Sequence, residues 1–218
     1  MVYTKGMKIR PSLLAANKSE IEKEITSIVS PSIQSIHFDI WDGVFVPSQM
    51  LEVSLLDKIP GKTPVDVHLM AQYPSKYFSK VLKHKQVTAI AFHIECLEDI
   101  RENIAYLRWK GKGVGLAILS STPADHLDQY LLEIDFVLVM TIKGGFSGTP
   151  FIPKVLQKIQ EIHQKRPELT IVVDGGINLE TAQICMNHWA TEAVVSSALF
   201  AQKDRQEYLR LLSKIVQK

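Results

Sequence analysis

The 218-residue chain carries 25 basic and 23 acidic side chains, a formal charge of +2 at pH 7, with 46% apolar and 22% charged residues. That balance fits one globular domain over residues 1–218 with one sizeable core, and it excludes the disordered and fibrous classes. So small a net charge leaves no electrostatic footprint for nucleic acid or an acidic membrane, although a few local donors suffice to hold one small anion.

In chain order, short apolar runs alternate with helical patterns. Strands are expected near 8–14, 34–40, 64–70, 87–93, 113–119, 134–140, 169–174 and 191–197. Helical patterns fall near 18–29, 50–58, 74–84, 97–110, 123–130, 152–165, 179–188 and 204–216, and those at 50–58 and 123–130 are weak. Regular alternation implies a parallel sheet with helices outside it. Eight units point to a closed (β/α)₈ barrel of the TIM type, with a doubly wound open sheet as the alternative. Neither GxGxxG after the first strand nor GxxxxGK[ST] occurs, so the two usual nucleotide signatures are missing. Cys96 and Cys185 form no CxxC pair, which favours a reducing compartment. No leader-like or membrane-spanning apolar run of about 20 residues is visible, and a cytoplasmic location is expected.

In such a barrel the chemistry sits at the C-terminal ends of the strands. Polar residues gather there: His37 and Asp39 in SIHFDIWDG, His68 in VDVHLM, His93 and Glu95 in AFHIE, and Asp174 in IVVDGG. Residues two apart on a strand share a face. His37 and Asp39 therefore point inward together, Asp66, His68 and Met70 share another inward face, and Asp174 follows Val172 on the same parity. His37, Asp39, His68 and Asp174 can converge on one centre. Two imidazoles and two carboxylates suit Zn²⁺ or another first-row ion better than Ca²⁺ or Mg²⁺. Spacing alone equally admits an internal hydrogen-bond network. His84, His126, His163 and His188 lack such a setting.

Two glycine-rich segments are candidate anion cradles: GGFSG after the sixth strand, with Gly145 and Gly148, and DGG after the seventh, with Gly175 and Gly176. Ser196 and Ser197 follow the eighth strand. The loops after strands 7 and 8 are a frequent phosphate position in this fold. The amides of Gly176 and Ser197 are the leading donors, and simple turns are the alternative.

The segments PSLLAAN, HFDIWDGVFVP, DVHLM, FHIE, STP, MTIKGGFSGTPFIPKV, VDGGI and SSALF together resemble the ribulose-phosphate 3-epimerase family along nearly the whole chain. The resemblance implies a ribulose-phosphate-binding barrel in which His37, Asp39, His68 and Asp174 hold a divalent metal, Zn²⁺ ahead of Fe²⁺, Mn²⁺ or Co²⁺. It implies that Asp39 and Asp174 are the acid–base pair interconverting D-ribulose 5-phosphate and D-xylulose 5-phosphate through a cis-enediolate. It places Ser12, His68, Met70, Met140, Gly145, Gly148, Gly175, Gly176, Ser196 and Ser197 around a small phosphorylated ketose. It also allows a homo-oligomer. The chain departs from the family pattern at Trp41, where a methionine is usual, at Ser48, at Leu119–Ser120, in GGFSGT and at Ser196, where glycine is usual. These changes leave two alternatives open: a ketohexose 6-phosphate substrate, or a non-catalytic sugar-phosphate or metal-binding barrel.

Overall fold

The computed structural model describes residues 6–46, 52–143 and 149–218. The strands are β1 (Lys8–Pro11), β2 (Ile36–Trp41), β3 (Val65–Met70), β4 (Val87–His93), β5 (Gly113–Ile118), β6 (Phe136–Met140), β7 (Thr170–Asp174) and β8 (Glu192–Val195). The helices are α1 (Ile21–Ile28), α2 (Ser75–Val81), α3 (Ile100–Trp109), α4 (Val155–Lys165), α5 (Leu179–Asn187), α6 (Ser197–Phe200) and α7 (Arg205–Ser213). The two weak helical patterns are 3₁₀ segments, Val53–Lys58 and Ala124–Tyr130. In the second, the buried Ala124 and Leu127 lie three apart, the spacing that a three-residue turn stacks on one face. The first stops at Ile59, which precedes Pro60 and is extended, as a residue before proline prefers.

All seven ladders are parallel, in the order β1-β8-β7-β6-β5-β4-β3-β2. The circuit closes between β1 and β2 through two isolated parallel bridges, Ile9 with Ile33 and Ser12 with His37. The Gln34 amide also donates to the Ile9 carbonyl at 2.7 Å across this join. The chain is therefore a (β/α)₈ barrel, and the open-sheet alternative falls.

The twofold period of each strand divides its apolar residues between two cores. Outward residues such as Ile36, Phe38, Ile40, Val67 and Leu69 pack with Ile25 and Ile28 of α1 and with the other helices. Inward residues Ala91, Ala117, Leu138, Met140, Val172 and Val194 fill the barrel. Below them Phe136 lies against Gly115, where any side chain would collide with the ring.

The remaining interior is polar. The Arg10 guanidinium lies 4.8 Å from the centre of the Phe136 ring and binds Glu192 at 2.6 and 2.7 Å. It also reaches Asp66 at 3.1 Å. Burial opposes the charge on Asp66, but Arg10 and His37 outweigh it and hold the carboxyl well below the usual range. This buried ionic layer is the floor on which the next layer of side chains stands.

Candidate metal and substrate site

Strand register builds the site. Asp39 lies opposite His68 in the β2–β3 ladder, and Met140 lies opposite Asp174 in β6–β7. His37 Nε2 lies 3.3 Å from Asp39 Oδ1 and 3.8 Å from Asp174 Oδ2. His68 Nδ1 lies 3.3 Å from the same Asp39 oxygen and 3.6 Å from the same Asp174 oxygen. One donor atom from each of His37, Asp39, His68 and Asp174 falls within 4.8 Å of every other. The structure thus brings together all four residues proposed from spacing.

His37 shows which purpose this convergence serves. Its Nδ1 meets Asp66 Oδ2 at 2.5 Å, and Asp66 also accepts from the Ser35 hydroxyl. A carboxylate only accepts, so Nδ1 carries a ring proton and Nε2 is the nitrogen left to take a cation. That Nε2 is fully buried and has no hydrogen-bond partner. A closed hydrogen-bond network would satisfy it, because buried polar atoms are normally paired. A bare imidazole nitrogen facing two carboxylate oxygens and a second imidazole fits a divalent cation. Electrostatics agree. Burial disfavours charge on His37, yet Asp66 and Asp39 raise its pKa well above the ordinary value. Burial likewise opposes ionised Asp39, but His37 and His68 drive its pKa far down. The cluster attracts positive charge.

A cavity of about 580 Å³, including open solvent at its mouth, rises above the cluster. Asp39 and Asp174 stand on its floor, with Ser12 between Asp39 and the first loop. The Ser12 hydroxyl donates to Asp39 Oδ2 at 2.8 Å, leaving Oδ1 to face the histidines. Met70, Met140 and Trp41 form apolar walls. Trp41 donates its ring N–H to Met70 Sδ at 2.8 Å, so the larger residue also fixes its neighbour.

Gly175, Gly176, Ser196 and Ser197 also line the cavity. Gly175 has φ +112° and Gly176 φ +65°, a region that side chains rarely adopt. A Cβ on Gly175 would also strike Ile142 at 2.4 Å. These glycines are required by the turn. Asn178 then starts α5 with a capping box to Thr181. Ser196 has φ −129°, so serine fits there without left-handed strain. Its hydroxyl accepts from the Ala15 amide at 2.9 Å and donates to the Ser12 carbonyl at 3.0 Å. The serine ties the eighth loop to the first. Gly145 and Gly148 lie outside the described residues.

Several supporting residues carried no assigned role in the sequence. Asp66 shares an inward face with His68, but only the β2–β3 register reveals that it opposes His37. His93 and Glu95 were visible as polar strand-end residues, without a stated function. His93 is fully buried, and burial pushes its pKa down to about 4. His84 instead pairs with Asp57 at 3.1 Å, and His163 stacks on Trp189 with ring centres 4.2 Å apart. Cys96 and Cys185 are both free thiols.

The model of the ribulose-phosphate 3-epimerase family matches residues 8–200, spanning all eight strands and every residue of the cluster. The chain belongs to that family. Among ribulose-phosphate 3-epimerases, the protein of Bacillus subtilis (strain 168) is 31% identical over 208 residues, covering 92% of this chain and 95% of the relative. The protein of Oryza sativa subsp. japonica described as a cytoplasmic isoform is 30% identical over 224 residues, covering 100% and 97%. The 3-hexulose-6-phosphate synthase of Salmonella typhimurium superposes with a TM-score of 0.68 over 96% of this chain and 98% of its own, at 15% identity, a likeness of fold alone. Of the departures from the ribulose-phosphate 3-epimerase pattern, Trp41 and Ser196 lie on the cavity wall, while the four residues of the cluster are retained. Among the described residues, no helix is long and apolar enough to cross a membrane.

Proposed function

We propose that the protein is a metal-dependent 3-epimerase interconverting D-ribulose 5-phosphate and D-xylulose 5-phosphate. The observation carrying this reading is the convergence of His37, Asp39, His68 and Asp174 around the bare His37 Nε2, in a chain of this family. Two nitrogens and two oxygens favour Zn²⁺, with Fe²⁺, Mn²⁺ and Co²⁺ as the other candidates. When bound, the ion supplies Lewis-acid stabilisation of the negative charge that develops on the substrate oxygens.

The protein's own groups supply the rest. Asp39 and Asp174 come from β2 and β7, and both line the cavity. One carboxylate removes the C3 proton and the other carboxyl returns a proton to the opposite face, with roles exchanged in the reverse direction. The Ser12 hydroxyl holds Asp39 in one orientation. Met70, Met140 and Trp41 keep water from the reacting carbon. The amides of Gly176 and Ser197 are assigned to the phosphate, on the loops that often bind it in this fold. A cytoplasmic location is supported by the description of the rice relative.

The test is reaction of metal-loaded protein with D-ribulose 5-phosphate in D₂O. Xylulose 5-phosphate carrying deuterium at C3, and loss of both product and label in D39N and D174N, are expected. Neither product nor exchange from folded, metal-loaded protein would defeat the assignment. A ketohexose 6-phosphate assayed in parallel distinguishes another substrate from a binding-only barrel.

A further inference from the structure

His93 and Glu95 lie beside the cluster without belonging to it. His68 presents Nδ1 to Asp39 and Asp174, and its other nitrogen, Nε2, lies 3.0 Å from His93 Nε2. The two rings are tilted by 29° with centres 5.0 Å apart, an edge-to-edge approach suited to an N–H···N bond. His93 Nδ1 in turn meets Glu95 Oε2 at 2.9 Å. The far end is anchored, since Glu95 Oε1 accepts from the Leu119 amide at 2.9 Å. Lys158 of α4 holds the Leu119 and Ser120 carbonyls at 2.5 and 3.2 Å.

Each link fixes the next proton. A carboxylate only accepts, so His93 carries its proton on Nδ1 and a lone pair on Nε2. Two lone pairs, or two N–H groups, would repel at 3.0 Å. His68 must therefore donate from Nε2, so Nδ1, 3.3 Å from Asp39 Oδ1 and 3.6 Å from Asp174 Oδ2, is the nitrogen left to take a cation in place of a proton. We propose that His93 and Glu95 are a positioning pair that selects the His68 tautomer able to bind the metal. Asp66 does the same for His37 in one step, whereas Glu95 acts on His68 through a second imidazole. Partners of this kind commonly change metal affinity by about 10–100-fold. The inference rests on the metal reading above.

E95Q disturbs this chain of bonds at its far end. Glutamine has one acceptor for two donors, the Leu119 amide and His93 Nδ1–H. If its NH₂ faces His93, that ring moves its proton to Nε2, and His68 is driven to the Nδ1–H form, which cannot bind through Nδ1. H93F keeps a ring against Phe45, whose ring centre is 4.6 Å from that of His93, but removes the acceptor. H93Q restores an acceptor oxygen.

Zinc and cobalt affinities are measured by chelator competition, with the visible spectrum of the Co²⁺ protein and long-range ¹H–¹⁵N spectra of the histidine rings. In the zinc-loaded wild type, His68 should carry its proton on Nε2 and His93 on Nδ1. H93F and E95Q should weaken both metals by about 10–100-fold and alter the Co²⁺ spectrum, and H93Q should recover part of the loss. Wild-type affinity and spectrum in H93F would overturn the role of the pair while leaving the metal reading intact, whereas a His68 Nδ1–H in the zinc protein would overturn the pair's role together with the place of His68 among the ligands. If H93F does not fold, the wild-type tautomers and E95Q decide the matter alone. Failure of the wild type to take up any metal overturns both readings.

Discussion

Replacing Gly115 with alanine puts a methyl group inside the barrel, against the Phe136 ring. An ideal Cβ there lies 2.3, 2.4 and 2.8 Å from three ring carbons. Favourable carbon contacts lie near 3.5–4.0 Å, so the ring has to retreat by roughly 1 Å or more. It has little room, because the Arg10 guanidinium is 4.8 Å from the ring centre and is itself tied to Glu192 and Asp66. Overpacking of this kind costs about 1–3 kcal/mol. In a chain of this length each kcal/mol moves the melting temperature by about 2–4 °C, so G115A should melt roughly 2–12 °C lower. Differential scanning calorimetry of metal-free protein reads this directly. F136L removes the two nearest colliding atoms, Cε2 and Cζ, and the double variant should lose less than the two single losses combined. An unchanged melting temperature in G115A, or strict additivity in the double variant, would refute the steric argument.

Three further outcomes follow from bonds already described. D66N removes the carboxylate that fixes His37, and chelator competition should show metal affinity reduced about 10–100-fold; an unchanged affinity would show that His37 needs no such partner. Asp42 accepts from the Val44, Phe45 and Gln72 amides at 2.8, 2.7 and 2.7 Å, and although its partial burial acts in the opposite direction, these bonds lower its pKa. A lowered folded pKa gives stability that is present above the unfolded carboxyl value near 4 and lost as pH falls through the folded one. The melting gap between wild type and D42N should thus be full at pH 6 and shrink below about pH 4, and a gap independent of pH would contradict this. S196A breaks the bonds to Ala15 and Ser12 and should cost about 1–2 kcal/mol in thermal melts, whereas unaltered melting would mean that the tie between the two loops contributes nothing.

The barrel and its four central residues were legible because both depend on short-range periodicity. In HFD and DVH the twofold repeat alone decides which side chains face inward, and Asp174 follows Val172 by the same rule. What lay beyond reach depends on register between strands. Arg10 and Glu192 are 182 positions apart and meet only because β1 pairs with β8. Asp66 opposes His37 in a particular alignment of β2 with β3, and a slip of one residue would turn it to the outer core. The weak pattern at 123–130 could not separate 3₁₀ from α geometry, because a short segment with Ala124 and Leu127 inside satisfies the tighter turn. Ser196 read as a glycine replaced by something bulkier, whereas the backbone at that position is not left-handed and its hydroxyl serves the neighbouring loop.

The join between β1 and β2 has a consequence for how the molecule opens. Seven strand pairs are laced by ladders, but this one is held by two bridges and a few polar contacts, including Ser12 with Asp39. His37 and Asp39 lie on one bank of the join, and Asp174 on β7 lies beyond the other, two strands away through β1 and β8. An ion held by His37 and Asp39 on one bank and by Asp174 beyond the other would act as a rivet across the seam. Ligand binding to the folded state alone adds RT ln(1 + [L]/Kd) to stability, and here that gain is concentrated at the circuit's most sparsely bonded point. Breathing of the barrel and release of the ion would thereby be coupled, and slower hydrogen exchange on metal loading at the Gln34 amide, which spans the join to Ile9, would record it.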